Sequence, residues 1–139
     1  MDDKKYCFIR FKYLYNNQEN EDIRVVGNTE ALGNWNILKA IKLYLVPKQI
    51  GVWKTKEKIK IPLFQLIEYK YLIFKNNILL RWEHIFNNMN RSITIIENNV
   101  FVLIDKPDSL VTKLKKEITY KKEGDKNLKK KKLRKKWNK

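Results

Sequence analysis

"IEYKYLIFKNNILLRWEH" occupies residues 67 to 84. Two apolar runs, 67–75 and 78–84, flank the pair Asn76-Asn77. Asparagine tolerates the positive φ angles of a two-residue hairpin turn, so the stretch reads as two antiparallel strands joined tightly. In the first arm Lys70 stands between Tyr69 and Tyr71. The two-residue period of a strand sends its side chain to the face opposite theirs.

The same period extends in both directions. In "YCFIRFKYLY" (6–15), Cys7, Ile9, Phe11 and Tyr13 share one face and Arg10 and Lys12 the other. A polar loop at 16–22 leads to the short strand "IRVVG" (23–27). "NTEALGN" reads as a single helical turn, with Asn28 as its N-cap and Gly33 as the residue that ends it. "AIKLYLV" (40–46) is a strand closed by Pro47, and "GVWKTKEKIKIP" (51–62) alternates again. "RSITII" (91–96) and "VFVLID" (100–105) flank "ENN" as a second hairpin. Eight short strands and one helical turn predict an all-β antiparallel sandwich or barrel over residues 1–105.

Beyond Asp105 the pattern changes, and 106–139 reads as a separate lysine-rich extension. Residues 107–122 suit a helix capped by Asp108 or Ser109, with Leu110, Val111, Leu114 and Ile118 on one side. The lysine block that follows has almost nothing to bury, and disorder is its expectation. Residues 113–139 hold 14 Lys or Arg against 3 acids, whereas 1–112 hold 17 against 12. The net charge of +16 is therefore mostly a property of the tail. The abundance of lysine, asparagine and isoleucine also fits an AT-rich coding sequence.

A chain of 139 residues, 43% hydrophobic, suffices for one domain with a real core. No run of 18 apolar residues is present, which excludes a spanning helix of ordinary kind. The single Cys7 and the acidic start "MDDKKYCFIRF" predict a cytoplasmic protein. Catalytic chemistry has little to work with. His84 is the only histidine, the four glycines form no phosphate-cradling loop, and zinc would lack ligands. The expectation is a non-enzyme with no cofactor and no metal.

Trp35 sits in "LGNWN", between Asn34 and Asn36. A polar turn is a poor place to bury an indole, but a good place to present one to a sugar. A glucose ring offers C–H patches to a flat apolar surface and hydroxyls to amides and charges around it. The combination recurs in "RWEHIFNNMNR", where Trp82 is followed by Glu83, Asn87, Asn88 and Asn90. From spacing alone a second reading stays open, in which Trp35 plugs the end of the sandwich and Trp82 fills its core.

The order "VVGNTEALGNW", "VW", "EYKY", "RWE" and "NR" resembles carbohydrate-binding module family 20, the starch-binding domain, over roughly residues 6–105. The resemblance implies an immunoglobulin-like β-sandwich, or open-sided distorted barrel, that binds α-1,4-glucan without cleaving it. It implies Trp35 and Trp82 as the stacking pair of a first glucan site, with Lys70, Glu83 and Asn90 as polar partners. The family has a shorter spacing between "WE" and "NR" than "HIFNNM" supplies here, so Asn87 and Asn88 remain alternatives to Asn90. Tyr15 and Trp53 are the candidates for a second glucan site; no motif pins them, and a core role for Trp53 stays open.

The ligand implied is starch, amylopectin or glycogen, with a glucan-metabolising enzyme as a further partner. Two other functions compete with glucan binding. The tail suits nucleic acid or an acidic membrane through salt-sensitive charge attraction. The same sandwich could instead serve as a protein-interaction module.

Overall fold

The structure, a computed structural model, describes residues 5–85 and 88–117. Among these, eleven strands form two sheets: β1 (Tyr6–Leu14), β2 (Glu21–Gly27), β3 (Ile41–Lys42), β4 (Tyr44–Leu45), β5 (Val52–Lys54), β6 (Ile59–Pro62), β7 (Ile67–Lys75), β8 (Ile78–Trp82), β9 (Arg91–Ile93), β10 (Val100–Asp105) and β11 (Lys113–Lys116). The first sheet runs β11-β10-β1-β5-β4, with β6 also on β1. The second runs β3-β2-β7-β8, with β9 also on β7. The chain is a β-sandwich, as the alternation predicts.

Each long strand obeys the two-residue period. Cys7, Ile9, Phe11 and Tyr13 of β1 face inward and meet Ile23, Val25, Tyr69, Tyr71 and Ile73 from the other sheet. Tyr13 stacks on Tyr71 at 4.1 Å between ring centroids. The hairpin of β7 and β8 turns at Asn76 and Asn77, with φ of 52° and 67°. Both central residues are left-handed, as this turn demands.

Other expectations change in tertiary context. "RSITII" and "VFVLID" form no hairpin: β9 pairs antiparallel with β7 in one sheet, and β10 pairs parallel with β1 in the other. The linker between them crosses the sandwich and buries Ile95. "AIKLYLV" is likewise shared between sheets as β3 and β4, broken where Leu43 turns into the core. The helix expected from residue 107 is replaced through Lys116 by extended chain and β11, antiparallel to β10, so the sheet continues past Asp105. The unpaired edge of β10 satisfies that backbone better than an isolated helix, whose apolar side would have no partner. Ile118 and the lysine block, read from sequence as disordered, lie outside the described residues.

Candidate functional site

Gly33, Asn34 and Trp35 have φ of 84°, 49° and 62°. Three successive residues in the left-handed region reverse the chain after the 3-10 turn that starts at Glu30. The N-cap of that turn is Thr29, whose Oγ1 accepts from the Leu32 amide at 3.2 Å, and not Asn28 as the sequence suggested. Asn28 instead ties the end of β2 to β7, accepting from the Glu68 amide and donating to the Leu66 carbonyl. Asn36 caps the next turn, accepting from the Leu38 amide at 3.0 Å. The asparagines around Trp35 are therefore first of all turn formers. A bulky residue at positive φ is strained, and such strain persists where a side chain must be aimed.

The indole of Trp35 is half-buried on the outer face of the second sheet. It packs on a small cluster of Val26, Leu72 and Phe74, bordered by Ile37, Ala40 and Leu79. Trp82 reaches the same face because β8 sets it opposite Leu72. It is 37% exposed, and its ring centroid lies 6.4 Å from that of Trp35 at an interplanar angle of 39°. Lys70 is two residues from Leu72 on β7, hence on that face too, and its Nζ donates to the Asn88 carbonyl at 3.2 Å. Asn90 is exposed and immediately precedes Arg91, which pairs with Tyr69 across β7 and β9. A tilted pair of indoles, with the Lys70 ammonium on the same face, is thus assembled from one turn and two strands.

The family model of the starch binding domain matches residues 6–104.

The chain belongs to the starch-binding domain family.

Solved structures share its fold. The glycoside hydrolase family 15 glucoamylase from Hypocrea jecorina matches with a TM-score of 0.65 and 23% identity, over 76% of this chain and 18% of that one. The Gamma-CGTase from alkalophilic Bacillus clarkii matches with a TM-score of 0.63 and 21% identity, over 75% and 15%. The family 20 module of the maltotetraose-forming amylase from Pseudomonas saccharophila STB07 matches with 0.54 and 21%, over 71% of this chain and 98% of that one. The chain thus spans under a fifth of the first two proteins. No curated protein sequence matches it. The family is one of non-catalytic starch-binding modules.

Within this starch-binding domain, two residues expected at glucan sites have other work. The Glu83 carboxylate is buried, and both its oxygens are taken by Arg91, with Nε to Oε2 at 2.8 Å and Nη2 to Oε1 at 2.9 Å. The Tyr13 hydroxyl and the Tyr71 amide donate to it as well, at 3.2 and 3.0 Å. No lone pair is left for a sugar hydroxyl. Trp53 is only 4% exposed, lies in the main core, and donates from Nε1 to the Tyr15 carbonyl. It offers no face for stacking. Tyr15 is half-buried, its hydroxyl donating to Glu21 and accepting from Arg81.

Sequence reasoning missed the group that supports the site. Arg91 also donates to Asp105, to the Ser109 carbonyl and to the Lys106 carbonyl. The Tyr69 and Tyr71 hydroxyls donate to Asp105 at 2.9 and 2.7 Å. Burial opposes the Arg91 cation, but the hydrogen bonds and charge of Glu83, then the charge of Asp105, outweigh it and push its pKa up. Burial first, and then the charge of Asp105, holds the Tyr69 and Tyr71 hydroxyls above their usual pKa. The one available signal was the position of Arg91 at an inward place of a short strand, where a charge needs a partner. Asn87, an alternative to Asn90, lies outside the described residues.

Proposed function

We propose that the outer face of the second sheet binds α-1,4-glucan, with Trp35 and Trp82 stacking on successive glucose rings of one chain. The observation that carries this reading is the aim of Trp35, held at φ 62° beside an exposed Trp82 at 6.4 Å. Two tilted rings follow the curvature of a helical glucan, where two coplanar rings would not. Covering an apolar sugar face removes area from water at about 25 cal/mol per Å². Lys70, though only 9% exposed, has ammonium protons beyond the one given to Asn88, and Asn90 is exposed, so both suit the hydroxyl rim. One site of this size binds weakly, and repeated sites along a polymer supply avidity.

The role is non-catalytic, in a reducing compartment such as the cytoplasm that suits the buried free thiol of Cys7. Presentation of starch, amylopectin or glycogen to a glucan-metabolising enzyme is the use that follows. Retention on insoluble starch, compared for the native chain, Trp35→Ala and Trp82→Ala, tests the reading. Both variants should elute early, and full retention by either would remove that ring from the site.

A further inference from the structure

The opposite face of the sandwich is chemically unlike the glucan face. Across the first sheet, Tyr44 of β4 pairs with Lys54 of β5, Lys54 with Lys12 of β1, Lys12 with Ile104 of β10, and Ile104 with Lys113 of β11. Adjacent strands stand about 4.8 Å apart, so Lys12 and Lys54 are direct neighbours. Like charges in register destabilise a sheet. Neither lysine is in an ion pair among the described residues. Two acids of this sheet's rim are already engaged, Glu117 by Arg10 at 2.9 Å and Glu97 by Lys116 at 2.8 Å.

Aromatic rings elsewhere on the same sheet lie under other lysines. The Lys60 ammonium lies 4.5 Å from the centroid of Tyr6, that of Lys58 5.3 Å from Phe8, and that of Lys56 4.0 Å from Tyr44. Tyr6 and Phe8 are half-buried on the outward side of β1. On the glucan face, by contrast, Arg24 is paired with Asp22 and the cluster beneath Trp35 is apolar. An uncompensated row of cations costs stability, and an anion laid along it removes the cost.

We propose that this face binds single-stranded nucleic acid, with its phosphates along Lys12, Lys54 and Lys113 and its bases against Tyr6, Phe8 and Tyr44. A phosphodiester strand brings one charge and one flat ring per nucleotide, matching both halves of the pattern. A lipid surface would meet the same charges but brings no flat rings to set against Tyr6, Phe8 and Tyr44. The site is independent of the glucan face and leaves that face open, so one molecule can hold both polymers.

The test uses the full chain and a fluorescein-labelled oligothymidylate. Lys12→Glu should weaken binding about tenfold and flatten the dependence of log K on log salt by about 0.7, the slope of one lost single-strand phosphate contact. Lys75→Glu, with the same change in net charge on the other sheet, should change affinity less than about twofold. Starch retention of Lys12→Glu should equal that of the native chain. Ultraviolet cross-linking should place adducts on peptides containing Tyr6, Phe8 or Tyr44. Equal losses for Lys12→Glu and Lys75→Glu would overturn the proposal, as would adducts confined to residues 118–139. So would a Lys12→Glu protein that loses phosphatidylserine vesicles in sedimentation while keeping the oligonucleotide.

Discussion

Arg91 grips both carboxylate oxygens of Glu83, at 2.8 and 2.9 Å, one residue along the chain from Trp82. The pair is buried, with Arg91 side-chain exposure at 0% and Glu83 at 3%. One oxygen of Glu83 also accepts from the backbone of β7. Through this clamp the exposed ring of Trp82 is fixed to the centre of the sheet. Removing one partner of such a pair strands a buried charge and costs about 3–5 kcal/mol. Arg91→Ala should therefore lower the urea midpoint severely, with starch binding lost alongside folding. Arg91→Lys keeps the charge but not the two-pronged contact, and should lose an intermediate amount. An Arg91→Ala protein with a native midpoint would contradict the buried network.

The tryptophans should separate binding from stability. Trp35→Ala and Trp82→Ala should each weaken glucan binding at least tenfold, about 1.4 kcal/mol. Trp82→Ala should leave the melting temperature nearly unchanged, since its ring is 37% exposed. Trp35→Ala uncovers Val26, Leu72 and Phe74, so a loss of about 1–2 kcal/mol is expected as well. Trp53→Ala should cost about 3–5 kcal/mol by opening the core. Thermal melts of the three proteins, run beside affinity electrophoresis in amylopectin, rank them.

Gly33 sets the aim of Trp35. Its φ is 84°, and a Cβ there would meet the Lys39 carbonyl oxygen at 3.0 Å. Gly33→Ala should cost about 1–2 kcal/mol for the left-handed backbone alone. The turn then shifts, so glucan affinity should fall by a larger factor than for a surface substitution. Unaltered affinity in a folded Gly33→Ala protein would show that Trp35 is positioned by its packing and not by the turn.

Alkaline pH should destabilise the domain. Burial pushes the Cys7 thiol up to about 11 from an ordinary value of 9.0. Burial, then the charges of Glu83 and Asp105, raises Tyr13, Tyr69 and Tyr71 above 10. These groups keep their protons in the folded state while the unfolded chain loses them. Stability is fully present below pH 9 and declines as pH rises above it, through the range of Cys7 to about 11 and beyond 10 for the tyrosines. Each group contributes at most about 1.4 kcal/mol per pH unit. Urea midpoints at pH 7, 9 and 10.5 should fall only across the last interval by a large amount. Cys7→Ala should shallow the early part of that fall.

The strands and the two outer-face tryptophans were legible because both rest on local rules, though Trp35 is half-buried and not exposed. Alternation in 6–15 and 67–75 follows from the two-residue period, and Asn76-Asn77 from the positive φ of a tight turn. Trp35 is conspicuous because an indole has no local reason to stand in "GNWN". The roles of Glu83 and Trp53 were left undecided by the sequence for one reason. A motif names the residue type at a position, but the face it takes depends on what packs behind it.

The sequence alone thus determined the β class, the positions of the long strands, and the family that Trp35, Lys70 and Trp82 mark. Only the tertiary structure decided which strands share a sheet, since alternation at 91–96 and 100–105 looks the same whether the partner is local or distant. It also decided that Lys113–Lys116 is an edge strand and that Glu83 belongs to Arg91. These outcomes depend on pairing energies between residues far apart in sequence: an open backbone edge for β11, and for Glu83 a buried guanidinium eight residues away and a β7 amide twelve away. Local propensity carries no record of either.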